Sequence, residues 1–374
     1  MKLFLTILAY LMPLFAFAET TTDRLTLTPE KPLQPGGGEV RVTVSLEGSR
    51  IYTGYEMDIT LPEGIELNYY KNAPDVALYK GSGCIYPFEE DRDGNKTFTH
   101  TATVSYGEVA ARTIRIACIS TSSQNFTSTS GKLLTIYLKA SAFAKPGDVS
   151  LALSNCKLAT FDDKTMTTTG YVPEQKEISG ITVGNNATVP VSVTSQWGTL
   201  MLPFPAELPE GMKAYSCSSN DTENLILSPV NSIKAFTPYI VYSENGFTSN
   251  LTGTVNASNY PASDIVTAGY LKASVKAQTV TEGYVLQKQG GVVQFYKVNS
   301  EKPVNIPAGK CWAVLPQQLA AKAAFGITVD NTTGIASPNV GNTSANDCYT
   351  LDGIKVNQVR KGTIYINNGR KVIR

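Results

Sequence analysis

Histidine is almost missing from this 374-residue chain, and its scarcity removes several chemistries at once. A histidine-based zinc site needs more than the single His100, and a Ser-His-Asp or Cys-His site would have to be built around that one residue. His100 lies in "KTFTHTATVSYG", between Thr99 and Thr101, where the alternation is that of a strand, so it reads as an ordinary surface or edge residue. Cysteine is sparse as well. None of the six (Cys84, Cys118, Cys156, Cys217, Cys311, Cys348) stands in a C-x-x-C or other metal-ligand spacing, so the common zinc and redox signatures are absent. No G-x-S-x-G, P-loop or dinucleotide fingerprint occurs. Charge is low and balanced, with 32 basic against 31 acidic residues, so the chain lacks the basic footprint that nucleic acid requires. No catalytic residue, cofactor or metal ligand set is expected. Carboxylates are numerous enough to leave a glycosidase pair open by count, but no domain is large enough for the deep cleft such enzymes use.

Long hydrophobic runs are missing too, except at the start. Lys2 is followed by an apolar run from Leu3 to Phe17 that closes on Ala16-Phe17-Ala18, the layout of a secretory signal peptide over residues 1–18. Cleavage would leave Glu19 first and, with Lys2 gone, a mature net charge of zero. No later stretch is long and apolar enough to span a bilayer as a helix, so the exported chain is expected not to span a membrane. The charge is uneven, however. From Thr350 onward, Lys355, Arg360, Lys361, Arg370, Lys371 and Arg374 face Asp352 alone.

What the chain has in quantity is strand chemistry. "VRVTVSLEG" puts Val40, Val42, Val44 and Leu46 on one face, and "YEMDITL" repeats the pattern with Tyr55, Met57, Ile59 and Leu61. Separators such as "PGGG", "LPEG" and "AKPGD" are turn chemistry. The expectation is an all-β protein: two antiparallel β-sandwich domains, 19–184 and 185–328, a polar linker at 329–347, and a short β-hairpin tail at 348–374. In the oxidising setting that export implies, a disulfide is possible. If one forms, Cys217 with Cys311 is favoured as the pair within the second domain, the alternative being buried thiols on strands.

Two stretches of the first domain stand out. "EEDRDGNKT", Glu89 to Thr97, spaces Asp91, Asp93 and Asn95 as a calcium loop does, but Gly94 precedes Asn95 and the twelfth position lacks Glu, so a hairpin turn is the better reading. "NYYKNAPDVALYKGSGCIYPF" breaks the strand rhythm and carries Tyr69, Tyr70, Tyr79, Tyr86 and Phe88. Aromatic rings on a long loop of a rigid sandwich make glycan- or protein-binding surfaces. The competing expectation is that some of these rings pack beneath the loop as a satellite core, with one or two left exposed.

The stretch "RIYTGYEMDITLPEGIELN", followed by "ACISTSSQNFTSTSGKLLTIYLKASAFAKPGDVSLALSNCKLAT", resembles the cohesin-type domain of exported Bacteroidota proteins over about 25–183. The resemblance implies a protein partner of the dockerin kind, although no partner-binding residue can be carried over. The tail "YTLDGIKVNQVRKGTIYINNGRKVIR" resembles the C-terminal sorting domain of the type IX secretion system: Tyr349, Gly353, Lys361, Gly362, Gly369, Arg370 and Lys371 fall on its pattern in order, while "IKVNQVR" lacks the usual Arg pair and Pro. That implies contact with a secretion machine, passage across an outer membrane, and release or attachment at the cell surface. The stretch opening "WGTLMLPFPAELPEGMKAYSC" is similar to a β-module found between such domains and such tails, and no activity comes with it. The expected function is that of a non-catalytic surface or secreted protein whose first domain engages a protein module or a glycan. The alternatives are a structural spacer without a ligand and, last, a polysaccharide-degrading protein.

Overall fold

A chain that alternates apolar and polar side chains buries its apolar half most simply by pairing into sheets with one inner and one outer face. The structure, a computed structural model, describes residues 19–68, 78–79, 83–120, 122–174, 177–194, 196–316, 319, 321–330, 348–349, 355–356, 361, 364–367 and 370–373. Among them there is no α-helix, only one 3₁₀ turn at Ala257–Asn259; the protein is all-β.

The first fourteen strands are β1 (Glu19–Thr21), β2 (Arg24–Pro29), β3 (Val40–Glu47), β4 (Gly54–Thr60), β5 (Ile65–Leu67), β6 (Leu78–Tyr79) and β7 (Phe88–Glu90), then β8 (Lys96–Phe98), β9 (His100–Tyr106), β10 (Thr113–Ser120), β11 (Gly131–Ala140), β12 (Gly147–Asp162), β13 (Thr167–Pro173) and β14 (Glu177–Val183). They form a seven-stranded sheet in the order β1-β13-β12-β4-β10-β9, with β14 also on β12, and a five-stranded sheet β2-β3-β11-β5, with β6 also on β11. Val40, Val42, Val44 and Leu46 of β3 and Tyr55, Met57 and Ile59 of β4 are all buried in one shared core, as the alternation requires. The long β12 serves three partners in turn, β14, β4 and β13. A bulge between Ser154 and Lys157, with Asn155 at φ 47°, bends it between them.

The next sixteen strands are β15 (Asn186–Val193), β16 (Trp197–Leu200), β17 (Ala206–Glu207), β18 (Lys213–Asn220), β19 (Asn224–Val230), β20 (Ser232–Ile233), β21 (Tyr239–Tyr242) and β22 (Phe247–Thr254), then β23 (Ile265–Ala268), β24 (Leu271–Ser274), β25 (Gln278–Val280), β26 (Tyr284–Gln289), β27 (Val292–Lys297), β28 (Val304–Ile306), β29 (Cys311–Ala313) and β30 (Ala324–Val329). Ten of them make one sheet, β16-β21-β18-β19-β30-β27-β26-β29-β24-β23. This sheet curls until its first strand meets its eighth: the Cys311 N–H donates to Thr199 Oγ1 at 2.9 Å and the Met201 N–H to the Gly309 carbonyl at 2.8 Å. The pairs β15-β22, β17-β20 and β25-β28 stand outside it. Pairing between these strands is antiparallel except for β1 with β13 and β19 with β30, and the isolated bridges Leu33–Val183, Pro35–Ala140 and Cys84–Lys132 are parallel as well.

Both strand sets belong to one compact unit that runs to Val329. Phe143, from the turn "AFAKPGD", is 4% exposed and sits with Met201, Ala273, Val275 and Cys311. Its carbonyl accepts the Tyr260 hydroxyl at 2.5 Å, and Lys276 bridges Glu63 of the first set and Asp264 of the second. The "PGGG" turn is part of the same junction. Gly36 has φ +64°, and a Cβ there would lie 1.9 Å from the Thr188 carbonyl oxygen, so only glycine fits.

Residues 330–374 form a second unit. Where the sequence shows two strand runs, the structure has four strands, β31 (Cys348–Tyr349), β32 (Lys355–Val356), β33 (Ile364–Asn367) and β34 (Arg370–Ile373), in the antiparallel order β32-β31-β33-β34. Asn367 pairs with Arg370 at the adjoining ends of β33 and β34.

Candidate functional site

The aromatic stretch divides into rings that are buried, rings that are displayed and rings outside the described residues. Tyr69 and Tyr70 lie outside them. Tyr79 is placed by its backbone alone, opposite Thr135 at the edge of β11. From Cys84 the chain is tied down, because the Ile85 N–H donates to the Lys132 carbonyl at 3.0 Å and the Ile85 carbonyl accepts the Thr127 N–H at 2.8 Å.

Those ties turn Tyr86 inward, and as a surface contact residue it must be given up. It is 1% exposed, its hydroxyl is 2.9 Å from that of Tyr55, and its ring stacks on His100 at 5.2 Å with Phe126 at 5.6 Å. Burial pushes the Tyr86 phenol well above its usual value. The same cluster corrects the reading of His100 as a surface residue. It opens edge strand β9 yet is 1% exposed. Its Nε2 lies 2.9 Å from the Thr53 carbonyl, which only accepts, so Nε2 carries a proton; Nδ1 lies 3.0 Å from the Thr99 hydroxyl. With both nitrogens engaged and the ring covered by Tyr86 and Phe126, His100 is a core residue that closes this end of the sandwich.

Phe88 is the ring that is displayed. It is 44% exposed, begins the β7–β8 hairpin, and meets Phe98 edge-on at 5.8 Å. The hairpin is stiffened at its tip by Asp91, which accepts the N–H groups of Asp93 and Asn95 and the Asn95 side-chain amide, each at 2.9 Å. The Asn95 side chain first, then the backbone donors, hold the Asp91 carboxyl below its usual value. The oxygens that would face a calcium ion are thus spent on a turn, in agreement with the hairpin reading.

The outer face of the seven-stranded sheet carries Glu56 and Asp58 two positions apart on β4. Arg115 grips Asp58 through Nε at 2.8 Å and Nη2 at 2.7 Å. Asn155 donates to Glu56 at 3.1 Å and Lys157 stands at 3.9 Å. Each carboxylate has a cation within ion-pair reach, although Glu56 Oε2 is buried without a hydrogen bond.

The cysteines follow the buried-thiol alternative. Among the described residues Cys156, Cys217 and Cys311 are buried thiols outside any disulfide. Cys217 packs with Tyr215, Leu225 and Leu227, whereas Cys311 packs with Phe143 and Met201, so the favoured pair sits in two different clusters. Burial pushes both thiols up to about 12. Of the tail residues, Tyr349, Arg370 and Lys371 lie in strands and Lys361 in a turn; Gly353, Gly362 and Gly369 lie outside the described residues.

Sequence reasoning missed a cleft in the second strand set. It has a volume of about 280 Å³ and lies between β16 and β26 beside the short β29, with Trp197, Gln287 and Lys310 in its lining. The signal was a lysine in "AGKCWAV", a charge just ahead of a short apolar strand.

No protein-family model matches the chain, and no curated protein does. Among solved structures it is similar to a non-cellulosomal cohesin from the archaeon Archaeoglobus fulgidus, at 12% identity over 43% of this chain and 91% of that one, with a TM-score of 0.29. It is similar to a chain of the type I cohesin–dockerin complex Coh-OlpC-Doc435 from Clostridium thermocellum, at 13% identity over 45% of this chain and 99% of that one, with a TM-score of 0.29. A third is domains D2 and D3 of the major pilin SpaD from Corynebacterium diphtheriae, at 11% identity over 76% of this chain and 88% of that one, with a TM-score of 0.28. At these values neither ligand nor activity passes from them to this chain.

Proposed function

We propose that the protein is a non-catalytic binding protein of the bacterial cell surface or its surroundings, exported by its signal peptide and sorted by its tail. Its first β-module, 19–184, engages a protein module or a glycan. The observation that carries the binding reading is Phe88: a large ring, 44% exposed, on a short hairpin whose tip is locked by Asp91. A rigidly presented aromatic ring gives up its contact with water at little entropic cost when a partner covers it. The non-catalytic reading is supported by His100, whose two ring nitrogens are taken up inside the core, and by the cations that hold Glu56 and Asp58.

The test is a solid-phase screen of glycans and dockerin-type modules against the mature chain and its Phe88→Ala variant. The expected result is a saturable ligand whose affinity falls by on the order of tenfold or more in the variant, the loss typical of a central aromatic contact. A ligand bound equally by both proteins would move the site away from this hairpin. No saturable ligand at all would leave the structural-spacer reading in its place.

A further inference from the structure

The cleft between β16 and β26 holds a half-buried lysine. Several half-buried cations of the described residues stand against carboxylates: Arg115 has Asp58, Lys157 has Glu56, Lys276 has Asp264 and Lys322 has Glu223. Lys310 lines the cleft, and its Nζ donates to the Thr199 carbonyl at 3.3 Å; no carboxylate among the described residues reaches it. Burial pulls its ammonium below the ordinary lysine value, as expected where a charge has lost water without gaining a counter-ion. Such a charge is costly to the fold unless something else uses it.

The surroundings fit a particular user. Trp197 lies beside Lys310 on the same wall, its ring held against Tyr242 at 4.8 Å and Tyr215 at 5.7 Å, so it is fixed in orientation before any ligand arrives. The facing wall, on β26, offers the amide of Gln287. Thr199 Oγ1, bonded to the Cys311 N–H at 2.9 Å, ties β16 to β29 beside the cleft. An indole face, an amide and an unpaired ammonium converge on a space of about 280 Å³, at the small end of ligand pockets and suited to a single ring.

We propose that this cleft is a binding subsite for a carboxylated sugar residue, its carboxylate on Lys310, its ring against Trp197 and a hydroxyl on Gln287. The ammonium supplies the charge-assisted contact, and the indole supplies an apolar platform for the C–H face of the ring. The site lies in the second module and does not depend on Phe88, so its failure and that of the first-module reading are separately visible.

The experiment titrates the full mature chain with glucuronate, glucose, acetate and a short aspartate-containing peptide, reading tryptophan fluorescence. The chain has two tryptophans, and Trp312 is 4% exposed, so a ligand-dependent change reports chiefly on Trp197. Glucuronate is expected to give a saturable change with glucose weaker by about tenfold or more, the equivalent of one hydrogen bond to a charged group. Lys310→Gln should bring glucuronate down to the level of glucose, and Trp197→Phe should weaken both. Thermal melting controls for folding, and Lys310→Gln is expected to melt no lower than the parent because it removes an unpaired charge. Should that variant nevertheless unfold, the salt dependence of glucuronate binding to the parent decides, since a charge contact weakens with ionic strength and a ring contact does not. No saturable change, equal binding of acetate and glucuronate, or tighter binding of the peptide would each overturn the proposal.

Discussion

Replacing Phe143 by alanine isolates what joins the two strand sets. The ring is 4% exposed and packed among Met201, Ala273, Val275 and Cys311, and a Cβ built on Gly309 would lie 2.6 Å from its tip, so no slack exists on that side. Truncation keeps the backbone carbonyl that accepts the Tyr260 hydroxyl and leaves the Lys276–Glu63 bridge intact, so what is lost is packing. A buried Phe→Ala change costs about 3–5 kcal/mol through lost transfer energy and the cavity left behind. At about 2–4 °C per kcal/mol for units of 150–250 residues, the affected transition should fall by roughly 6–20 °C. The loss falls at a junction, so it should also uncouple the two halves. Calorimetry of the mature chain should show the less stable half melting ahead of the other in Phe143→Ala, while the parent melts them together. A variant that keeps the parent's profile and drops by less than about 3 °C would show that Phe143 is not a structural link.

Two further predictions follow from buried ionisable groups. Asp23 is pushed up by burial, but hydrogen bonds from Tyr52 (2.5 Å) and Ser49 outweigh this and hold it below 3.8. A depressed folded value means that the network's stability is present above the unfolded pKa and is lost as pH falls through the folded one. Tyr52→Phe should therefore cost on the order of 1–3 kcal/mol at pH 7 in urea unfolding. The gap from the parent should narrow as the pH drops below about 3.8, and a gap that stayed constant down to acid unfolding would contradict the assignment. For the thiols, both raised to about 12, native Cys217 and Cys311 should resist Ellman's reagent at pH 8 and react once the chain is unfolded without reductant. A Cys217–Cys311 linked peptide in a non-reducing digest would refute the buried-thiol description.

Period-two patterning made the sandwich faces legible, since in a strand the sequence position decides the side: β3 and β4 bury the residues that alternation selects. Turn chemistry at Asp91 to Asn95 was legible for the same local reason. The fates of Tyr86 and His100 were not, because alternation assigns a face and says nothing about a loop that crosses the end of the sandwich. That cover comes from Phe126, on a different loop, and from the ties of Ile85 to β11 and Thr127. The "PGGG" stretch looked like ordinary turn chemistry, and the roles of Gly36 and Phe143 exist only once the second strand set is folded against them. Lys310 could have been flagged as a charge beside an apolar run, but that no carboxylate among the described residues reaches it depends on which strands fold around it.

The claim on which the account rests is that the chain works outside the cell, with its last residues as the address. The most direct measurement is protease shaving and fractionation of intact cells that express the full chain or a version ending before residue 348. The account predicts the full chain at the surface or in the medium and the shortened one held in the periplasm. Equal retention of both inside the cell would contradict it and would make the four-stranded tail an ordinary part of the fold.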